Sequence, residues 1–525
     1  MSREQSLSDF LENCEQFHLG DLDTESAHPL TRNLSHLTKT DINRATSLIK
    51  EVDELALRKL RSKLTLLRPL QKAISDTLSS GGKVFICGCG ATGRLALSTE
   101  FLWRTAGSGA YRENIVAFMA GGDCALISSI EKFEDYPEFG SRHLMELGFS
   151  EDDLLIGVTE GGETPFVIGA VEKASEISKR PPFFLYCNPD DILSKVAKRS
   201  KRVLENDHIH KINLSVGPMA ISGSTRMQAT TVQMIALASC LLFHNKPFTD
   251  IEKWFDSFAR QFETTDLNPL AALIKNEAKL YQEGKFITYV SDAALGICVL
   301  TDTTERSPTF SLKPFENRLD HSANDPSLCY LTLENAEDNE SAWKKLLGRR
   351  PRTFHWKEIS DKTTEERLLG FDISEKVLIK RQEITEGKNH IFRVSYGESG
   401  HHSSCLELSL GEEIFKIQCD RLDLLGQHMI LKLILNNLST SIMGILGRYE
   451  GNVMTWVRPS NYKLIDRCIR YIQAITAKKN IHLSYTKTAE YLFSTIPETN
   501  PGEPVVLNTV YKIEKDVSKE FAKTS

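Results

Sequence analysis

The chain has 525 residues, of which 41% are hydrophobic and 26% are charged, and its formal net charge is −6. This balance is ordinary for a globular protein, and the absence of a long basic run argues against general nucleic-acid binding. The longest apolar run, Met234 to Phe243, is too short to span a bilayer, so we expect no membrane insertion. One hydrophobic core rarely serves a chain of this length, and the sequence predicts two or three domains.

The N-terminus and the cysteines indicate a cytoplasmic location. The first residues are polar and acidic, unlike a secretory signal, and the eleven cysteines are scattered and odd in number. Such cysteines are typical of reduced, mostly buried thiols and not of a disulfide framework. Cys87 and Cys89 lack a second pair at zinc spacing, so we expect no metal site, and no cofactor is indicated.

Strand-like and helix-like segments alternate through the first half. Residues 40 to 78 carry apolar residues at helical spacing and predict a long helical lead-in. The short apolar runs that follow predict five strands, at Val84–Cys87, Ile115–Met119, Leu154–Val158, Phe183–Tyr186 and Ile212–Val216. This alternation is typical of a parallel sheet covered on both faces. Such sheets bind ligands outside the carboxyl ends of their strands, so the loops there matter most.

Three of these loops share one chemistry, because each carries glycines or hydroxyl side chains just before a helix. The candidate residues are Gly90, Thr92 and Gly93 in the first loop, Thr159, Gly161 and Gly162 in the second, and Ser222, Ser224 and Thr225 in the third. Glycine lets backbone N–H groups approach an anion, and a helix N-terminus adds the positive end of its dipole. Each loop alone is equally well explained as a capped turn, but the three together predict a phosphate pocket.

Acidic residues lie between the first and second loops. Glu131 and Glu134 are three residues apart, so on a helix they share one face. A carboxylate beside a sugar can bind hydroxyl groups or move protons. An exposed helix face explains the same pair, since charged side chains are rarely buried, and both interpretations stay open at this point.

Five segments occur in the order, and near the spacing, of a known family: "GCGATGRL", "AGGDCALISSIEKFED", "TPFVIGA", "CNP" and "SGSTRM". Through them the chain resembles the sugar isomerase (SIS) family, and more narrowly the N-acetylmuramic acid 6-phosphate etherases and the glucokinase regulatory protein. The resemblance implies three-layer α/β/α units that bind phosphosugars. It also implies that the phosphate lies on Gly90, Thr92, Gly93, Thr159, Gly161, Ser224 and Thr225, with Glu131 and Glu134 facing the sugar.

A second, degenerate copy of the unit follows the first. The segment Gly284 to Phe310 again predicts strand, turn and helix, but its turn has lost most of its glycines, and Asp292 would repel a phosphate there. We therefore expect an α/β protein of two tandem SIS domains, each with a parallel sheet, arranged as a covalent pseudo-dimer. Short alternating runs between residues 340 and 420 predict an inserted antiparallel piece.

The expected domain layout is an N-terminal segment 1–39, a first SIS domain 40–275 with its lead-in helix, a second SIS domain 276–480 and a short C-terminal tail 481–525. The tail contains the turn-rich "IPETNPGEPVV", and its charged end is expected to fray. A full helical cap like that of the regulatory protein does not fit in this tail.

The two halves keep complementary parts of one site. The resemblance to the etherases implies two catalytic glutamates, which correspond here to Glu134 and, in "DTTERSPTF", to Glu305. Glu100 of the first half is displaced by about two helical positions and is a poor substitute. The segment "VRPSNYKLIDR" matches a family segment whose lysine reaches the ligand, here Lys463, with Arg467 one turn later. An exposed helix face is the alternative for these two cations.

Three functions follow from this composite site. The preferred one is a sugar-phosphate sensor or regulator that acts through a partner such as a sugar kinase. The second is a lyase that cleaves an ether on an amino-sugar 6-phosphate with Glu134 and Glu305, and the third is a sugar-phosphate isomerase. The preference for a regulator depends on departures from the etherase pattern: Gln228 replaces a lysine, and Glu160 and Glu163 load the second loop with negative charge.

Overall fold

The computed structural model describes residues 6–14, 19–106, 109–128, 130, 133–321, 323–359, 362–398, 404–419, 422–459, 461–500 and 502–524. In the described part, no helix is both long and apolar enough to cross a membrane. All eleven cysteines lie within these ranges, are buried and form no disulfide. The prediction that these thiols are mostly buried is therefore confirmed.

The first half is an α/β unit around a five-stranded sheet. Its helices and strands are α1 (Leu7–Asn13), α2 (Leu34–Thr40), α3 (Ile42–Lys63), α4 (Arg68–Ser79), β1 (Val84–Gly88), α5 (Gly90–Thr105), β2 (Ile115–Met119), α6 (Pro137–Glu146), β3 (Leu154–Val158), α7 (Pro165–Ile177), β4 (Phe183–Tyr186), α8 (Asp190–Val196), α9 (Lys198–Glu205), β5 (His210–Asn213), α10 (Gln228–Leu242), α11 (Phe248–Thr264) and α12 (Leu270–Gln282). All strands are parallel, in the order β2-β1-β3-β4-β5.

Both faces of this sheet are covered, as the apolar runs predict. On β1, Val84 and Ile86 join the large core that also contains residues of α3, α4, α5 and α10. Phe85 and Cys87 point the other way, into a second core with residues of α6 and α7. Successive side chains of a strand face opposite sides, so a continuous apolar run fits a sheet buried on both faces.

Four of the five strand predictions are confirmed, and the fifth is wrong by two residues at its start and three at its end. β5 runs from His210 to Asn213, because it pairs with β4, whose last residue Tyr186 lies opposite Asn213. Leu214 still donates its N–H to the carbonyl of Tyr186 at 2.7 Å, and residues 215 and 216 continue past the end of β4. The apolar Leu214 and Val216 are buried in the core, which explains the apolar run beyond the strand.

The second half repeats the unit with one change. It contains β6 (Phe286–Ser291), α13 (Ala293–Phe310), β7 (Cys329–Leu333), α14 (Asn339–Leu347), α15 (Glu365–Leu369), α16 (Val377–Ile384), β8 (Asn389–Glu398), β9 (Ser404–Leu410), β10 (Glu413–Gln418) and α17 (Leu424–Ile445). The strands β7, β6 and β8 are parallel and correspond to β2, β1 and β3. Antiparallel β9 and β10 complete the sheet, which confirms the predicted antiparallel piece.

The two halves also correspond in the packing of one glycine, which lies in the helix after the first strand of each half. A Cβ atom on Gly93 would lie 2.6 Å from Cβ of Met119 on β2, and one on Gly296 would lie 2.5 Å from Cδ2 of Leu333 on β7. Each glycine thus allows the helix after the first strand to pack closely on the neighbouring strand. The helices α5 and α13 also pack against each other, and so do α10 and α17, which joins the two halves.

The C-terminal segment differs from the expected tail. After α18 (Tyr462–Ala477), it forms α19 (Tyr485–Thr495) and α20 (Val505–Thr524), which pack on each other and on α18. Val506, Val510 and Ile513 are buried at helical spacing, so the charged residues between 512 and 519 occupy the remaining face. The turn-rich residues 496–504 do separate two helices, but the end beyond them does not fray into a coil.

A segment of the second half, residues 349–359, crosses onto the first half, and we call it the crossing segment. Arg349 donates hydrogen bonds to Glu100 at 3.0 Å and to Asp123 at 2.7 and 3.0 Å. Arg352 donates to both carboxylate oxygens of Glu100, at 2.8 and 2.7 Å. Trp356 is buried in the second core of the first half. Glu100 therefore anchors this segment, which agrees with its rejection as a site residue.

Gly93 supplies a test of the packing between helix and sheet. Gly93→Ala should lower the free energy of unfolding by about 1–3 kcal/mol, because the added methyl group overpacks against Met119. Denaturant unfolding followed by circular dichroism measures this change. As a control, Gly397→Ala on β8 meets no atom within 4 Å. Equal stability of the Gly93 variant and the wild type would contradict the packing described here.

Candidate functional site

A cavity of about 210 Å³ lies where the two halves meet, beside the carboxyl ends of the first sheet. It is bounded by the N-terminus of α5, the loops after β2 and β3, the segment before α10, the second half of α13 and the start of α18. Seven of the residues singled out in the sequence line it together: Gly90, Glu134, Ser224, Thr225, Glu305, Lys463 and Arg467.

Six other candidates do not line this cavity. Two of them are Gly162, whose carbonyl accepts from Ser200, and Ser222, whose hydroxyl donates to the Glu25 carbonyl. Thr92 is buried and binds within its own turn, accepting from the Cys89 amide at 3.0 Å and donating to the Cys89 carbonyl at 2.8 Å. Thr159 forms a hydrogen bond of 3.0 Å with the hydroxyl of Thr164. Gly93 packs on β2, and the Gly161 carbonyl accepts from Asn188. Glu131, the remaining candidate, lies outside the described residues.

Glu134 is held by two neutral donors. It follows β2 and is half-buried, and the thiol of Cys89 donates to its Oε2 atom at 2.9 Å. The amide of Asn461, just before α18, donates to its Oε1 atom at 3.5 Å. Burial, together with the nearby Glu134 carboxylate, raises the pKa of Cys89 well above its ordinary value, so this thiol keeps its proton and remains a donor.

Glu305 is held by a cation from the other half. It lies on α13, is 7% exposed, and accepts a hydrogen bond of 2.5 Å from Nη1 of Arg94 on α5. Arg94 also donates to the carbonyl of Leu126 at 3.2 Å. Its Nη2 atom is buried and makes no hydrogen bond to any described residue. An unsatisfied buried donor is costly, so it marks a position where a bound ligand or water would be stabilised.

The segment before α10 carries a second arginine and a free hydroxyl group. Arg226 donates to Asp302 of α13 at 3.0 Å and to Ser439 and Thr440 of α17 at 3.2 and 3.1 Å. Ser224 is 4% exposed and lines the cavity, yet its buried Oγ atom makes no hydrogen bond to the described part of the chain. A buried hydroxyl without a partner is available to a ligand in the cavity.

Lys463 and Arg467 lie in the site and not on an exposed helix face. Lys463 forms an ion pair with Glu163 of the second loop, which Arg199 also contacts at 3.3 Å. Burial would raise the pKa of Glu163, but these cations outweigh it and lower that pKa. Arg467 donates to both carboxylate oxygens of Glu25, at 3.0 and 2.6 Å. Burial opposes ionisation of Glu25 as well, and its arginine partners again reverse the effect.

Glu160 is a third carboxyl group in the cavity. It is 8% exposed and accepts a hydrogen bond of 3.0 Å from the hydroxyl of Thr230 on α10. Burial is the main reason that its pKa is raised to about 7, and the nearby Glu305 adds to the rise.

The sequence analysis missed Cys89, Arg94, Arg226 and Asn461 as site residues, and treated Glu160 only as a departure from a family pattern. Cys89, Arg94 and Arg226 stand inside "GCGATGRL" and "SGSTRM", and Asn461 stands inside "VRPSNYKLIDR". Their presence in these motifs was a usable signal. Their roles depend on partners from the other half, which spacing along the chain does not reveal.

Comparison with known proteins agrees with this architecture. A family model described as the N-terminal SIS domain of the glucokinase regulatory protein matches residues 66–175. The N-acetylmuramic acid 6-phosphate etherase of Rhodopirellula baltica is 32% identical over 223 residues, or 42% of this chain and 67% of that protein. The etherase of Aliivibrio fischeri is 30% identical over 217 residues, or 41% of this chain and 66% of that protein. The chain thus covers about two thirds of the length of these relatives.

Two solved structures align more distantly. The C-terminal domain of glucosamine-fructose-6-phosphate aminotransferase from Francisella tularensis has a TM-score of 0.37 and 9% identity, covering 75% of this chain and 94% of that chain. The tagatose-6-phosphate ketose/aldose isomerase from Escherichia coli has a TM-score of 0.33 and 12% identity, covering 50% and 63%.

Two α/β units that meet at a cavity, lined by strand-end loops of the first and by α13 and α18 of the second, define a tandem SIS-domain protein. Within that class, the chain belongs to the family of the N-acetylmuramic acid 6-phosphate etherases.

The ion pair between Arg94 and Glu305 can be tested by a double-mutant cycle. Arg94→Met should lower the free energy of unfolding by about 3–5 kcal/mol, because it leaves the Glu305 carboxylate buried without its cation. Adding Glu305→Met should recover part of the loss, since both buried charges are then removed. Denaturant unfolding measures all three variants.

The exposed pair Arg142–Glu146 provides the control for this cycle. Both side chains are more than 40% exposed, so Arg142→Met should cost less than about 1 kcal/mol. Additive effects of the two core substitutions, with no recovery in the double variant, would show that the two side chains are not coupled.

Proposed function

We propose that this protein binds a sugar 6-phosphate in the cavity between its halves and cleaves an ether on that sugar, as a carbon–oxygen lyase. One observation carries the proposal: Glu134 of the first half and Glu305 of the second half line the same cavity. An elimination can use one group as a base and another as an acid, and two carboxyl groups beside one substrate can fill these roles.

The end of the cavity near α5 suits the phosphate group. Gly90 begins a 16-residue helix, whose N-terminal backbone N–H groups and dipole favour an anion. The unpartnered hydroxyl of Ser224 and the side chain of Thr225 supply further polar contacts. Lys463 pairs with Glu163 and also lines the cavity, where its ammonium group can contact a phosphate.

The two glutamates differ in their environment, which is the usual arrangement for an acid and a base. Glu134 accepts from a thiol and an amide, whereas Glu305 is paired with an arginine. One carboxylate removes the proton next to a carbonyl group, while the other protonates the ether oxygen that leaves as lactate. Water then adds across the double bond, and the sum is hydrolysis of the ether to lactate and an amino-sugar 6-phosphate.

Two departures from the etherase pattern, which the sequence suggests as evidence against catalysis, are weaker evidence once their contacts are known. Gln228 lies in the core and donates to Asp53 at 2.7 Å, so it takes no part in the cavity. Glu163 does not present an isolated negative charge, because Lys463 and Arg199 both contact it. These observations support the lyase over the loss of catalysis that the same residues suggest in the sequence.

A sugar-phosphate sensor is the second candidate, favoured by the family model of the glucokinase regulatory protein. In that case the glutamates bind sugar hydroxyl groups, and a protein partner binds differently to the sugar-bound and the sugar-free protein. The comparisons support the lyase better than this regulator, which the sequence analysis preferred, because the etherases match over 217 to 223 residues and the family model over residues 66–175. An isomerase is the weakest candidate, since no described residue that lines the cavity is a histidine.

The lyase can be tested by lactate release from N-acetylmuramic acid 6-phosphate. The wild type should release lactate, and Glu134→Gln and Glu305→Gln should each lower kcat by about 10²–10⁴-fold, because each removes one proton-transfer group. Glu138→Gln, which alters an exposed carboxylate at the start of α6, should leave the rate unchanged.

The same samples distinguish the two candidates. A ligand present at 100 times its Kd should stabilise the protein by about 2.7 kcal/mol, whether or not it is turned over. Stabilisation without lactate would reject the lyase in favour of the sensor. Neither stabilisation nor lactate, with this compound or with fructose and N-acetylglucosamine phosphates, would reject the sugar-phosphate site itself.

A further inference from the structure

We propose that Glu160 contacts the bound sugar phosphate in its protonated form and donates a hydrogen bond to it, so that binding takes up one proton from solvent. This inference rests on the proposed binding site, and it adds a third carboxyl group to the two glutamates predicted from the sequence. It concerns recognition of the ligand and holds for both the lyase and the sensor.

The position of Glu160 is the first argument. It directly follows Thr159 in the loop after β3, and its side chain is buried against the cavity that Glu134 and Glu305 also line. Its Oε1 atom accepts from Thr230 at 3.0 Å. A carboxyl group that accepts with one oxygen can donate from the other when protonated.

The surroundings of Glu160 contain little that would stabilise its charge. The groups that face it are Cys89 before α5, Cys187 after β4, Thr230 on α10, Glu305 on α13 and Lys463 on α18. Burial raises the pKa of both thiols well above their ordinary value, so they stay neutral. Glu305 repels a negative charge on Glu160, and Lys463, the cation in this set, already pairs with Glu163.

The charge balance of the cavity gives the second argument. Its lining contains three cations, Arg226, Lys463 and Arg467, and three carboxyl groups, Glu134, Glu160 and Glu305. Each of these cations already pairs with a carboxylate outside this set, namely Asp302, Glu163 and Glu25 in that order, so ionised carboxyl groups in the lining would repel a phosphate dianion. Protonation of one carboxyl group removes part of that repulsion, and the ligand itself favours the protonation.

Glu160 is the carboxyl group best suited to this role. Its pKa is raised to about 7, mainly by burial, so either form is accessible near neutral pH. Glu305, by contrast, holds a direct ion pair with Arg94. In the sequence, Glu160 adds a negative charge that would repel a phosphate from the second loop. When the phosphate is bound, the protonated Glu160 is instead a neutral hydrogen-bond donor.

The experiment measures the Kd of N-acetylglucosamine 6-phosphate, which lacks the ether and is not cleaved, by calorimetry at pH 6 and pH 8. Wild-type affinity should fall about tenfold more than that of Glu160→Gln over this range, because the protonated fraction of Glu160 falls about tenfold. The glutamine keeps the shape and a hydrogen-bond donor. The ligand phosphate also titrates over this range, but it affects both Kd values equally, so its effect cancels in their ratio.

Two further measurements complete the design. Glu138→Gln, at an exposed position, should follow the wild type at both pH values. Wild-type titrations at pH 7.5, in buffers of different ionisation enthalpy, should show net proton uptake beyond that of the phosphate. This measurement tests the proposal even if the Glu160 variant does not fold.

The outcomes separate this inference from the proposed function. A constant ratio of the two Kd values, with binding intact and no excess proton uptake, overturns the role of Glu160 and leaves the site standing. Wild-type affinity that rises with pH, relative to Glu160→Gln, also overturns it, because the ionised form of Glu160 would then be the one that binds, as an acceptor of sugar hydroxyl groups. No binding by either protein rejects the proposed site and this inference together.

Discussion

Two buried ion pairs between the halves hold both the fold and the cavity in place. Arg94 and Arg226 of the first half bind Glu305 and Asp302, which lie almost one turn apart on α13. Burying these charges is costly in isolation, and the cost is partly offset because each arginine has further hydrogen-bond partners. These ion pairs fix the position of α13, because it cannot slide or rotate against α5 without leaving a charge unpaired. Glu305 is thereby kept at the cavity wall.

Much of the first sheet could be predicted because its strands are buried on both faces. Leu154–Val158 and Phe183–Tyr186 are continuous apolar runs, and the structure has them as strands with those bounds. The edge strand β5 was misplaced because His210 is exposed and interrupts the apolar pattern. The helix α20 was misread as a fraying end because its many charges hide a narrow apolar stripe, which becomes evident once α18 and α19 cover it.

Some residues of the site could be predicted from local motifs, but their interaction partners could not. Glu134, Glu305 and Lys463 could be chosen from motifs, and they do line one cavity. Their partners could not be assigned, because Arg94 is 211 residues from Glu305 and Glu163 is 300 residues from Lys463. Thr92 was placed on the phosphate because a hydroxyl in a glycine turn is a good donor, but its own turn uses that hydroxyl.

The turn before α13 has lost most of its glycines, and it has also gained a carboxylate, Asp292, at the start of the helix. Asp292 accepts from the backbone N–H of Leu295 and so caps this helix with a carboxylate that belongs to the chain itself. In a dimer of identical subunits, one such substitution would appear at both equivalent sites and damage both. In a single chain with two halves, it alters one copy and spares the other. Covalent fusion therefore gives each half its own mutational history, and a residue can be lost from one copy while its counterpart is retained in the other.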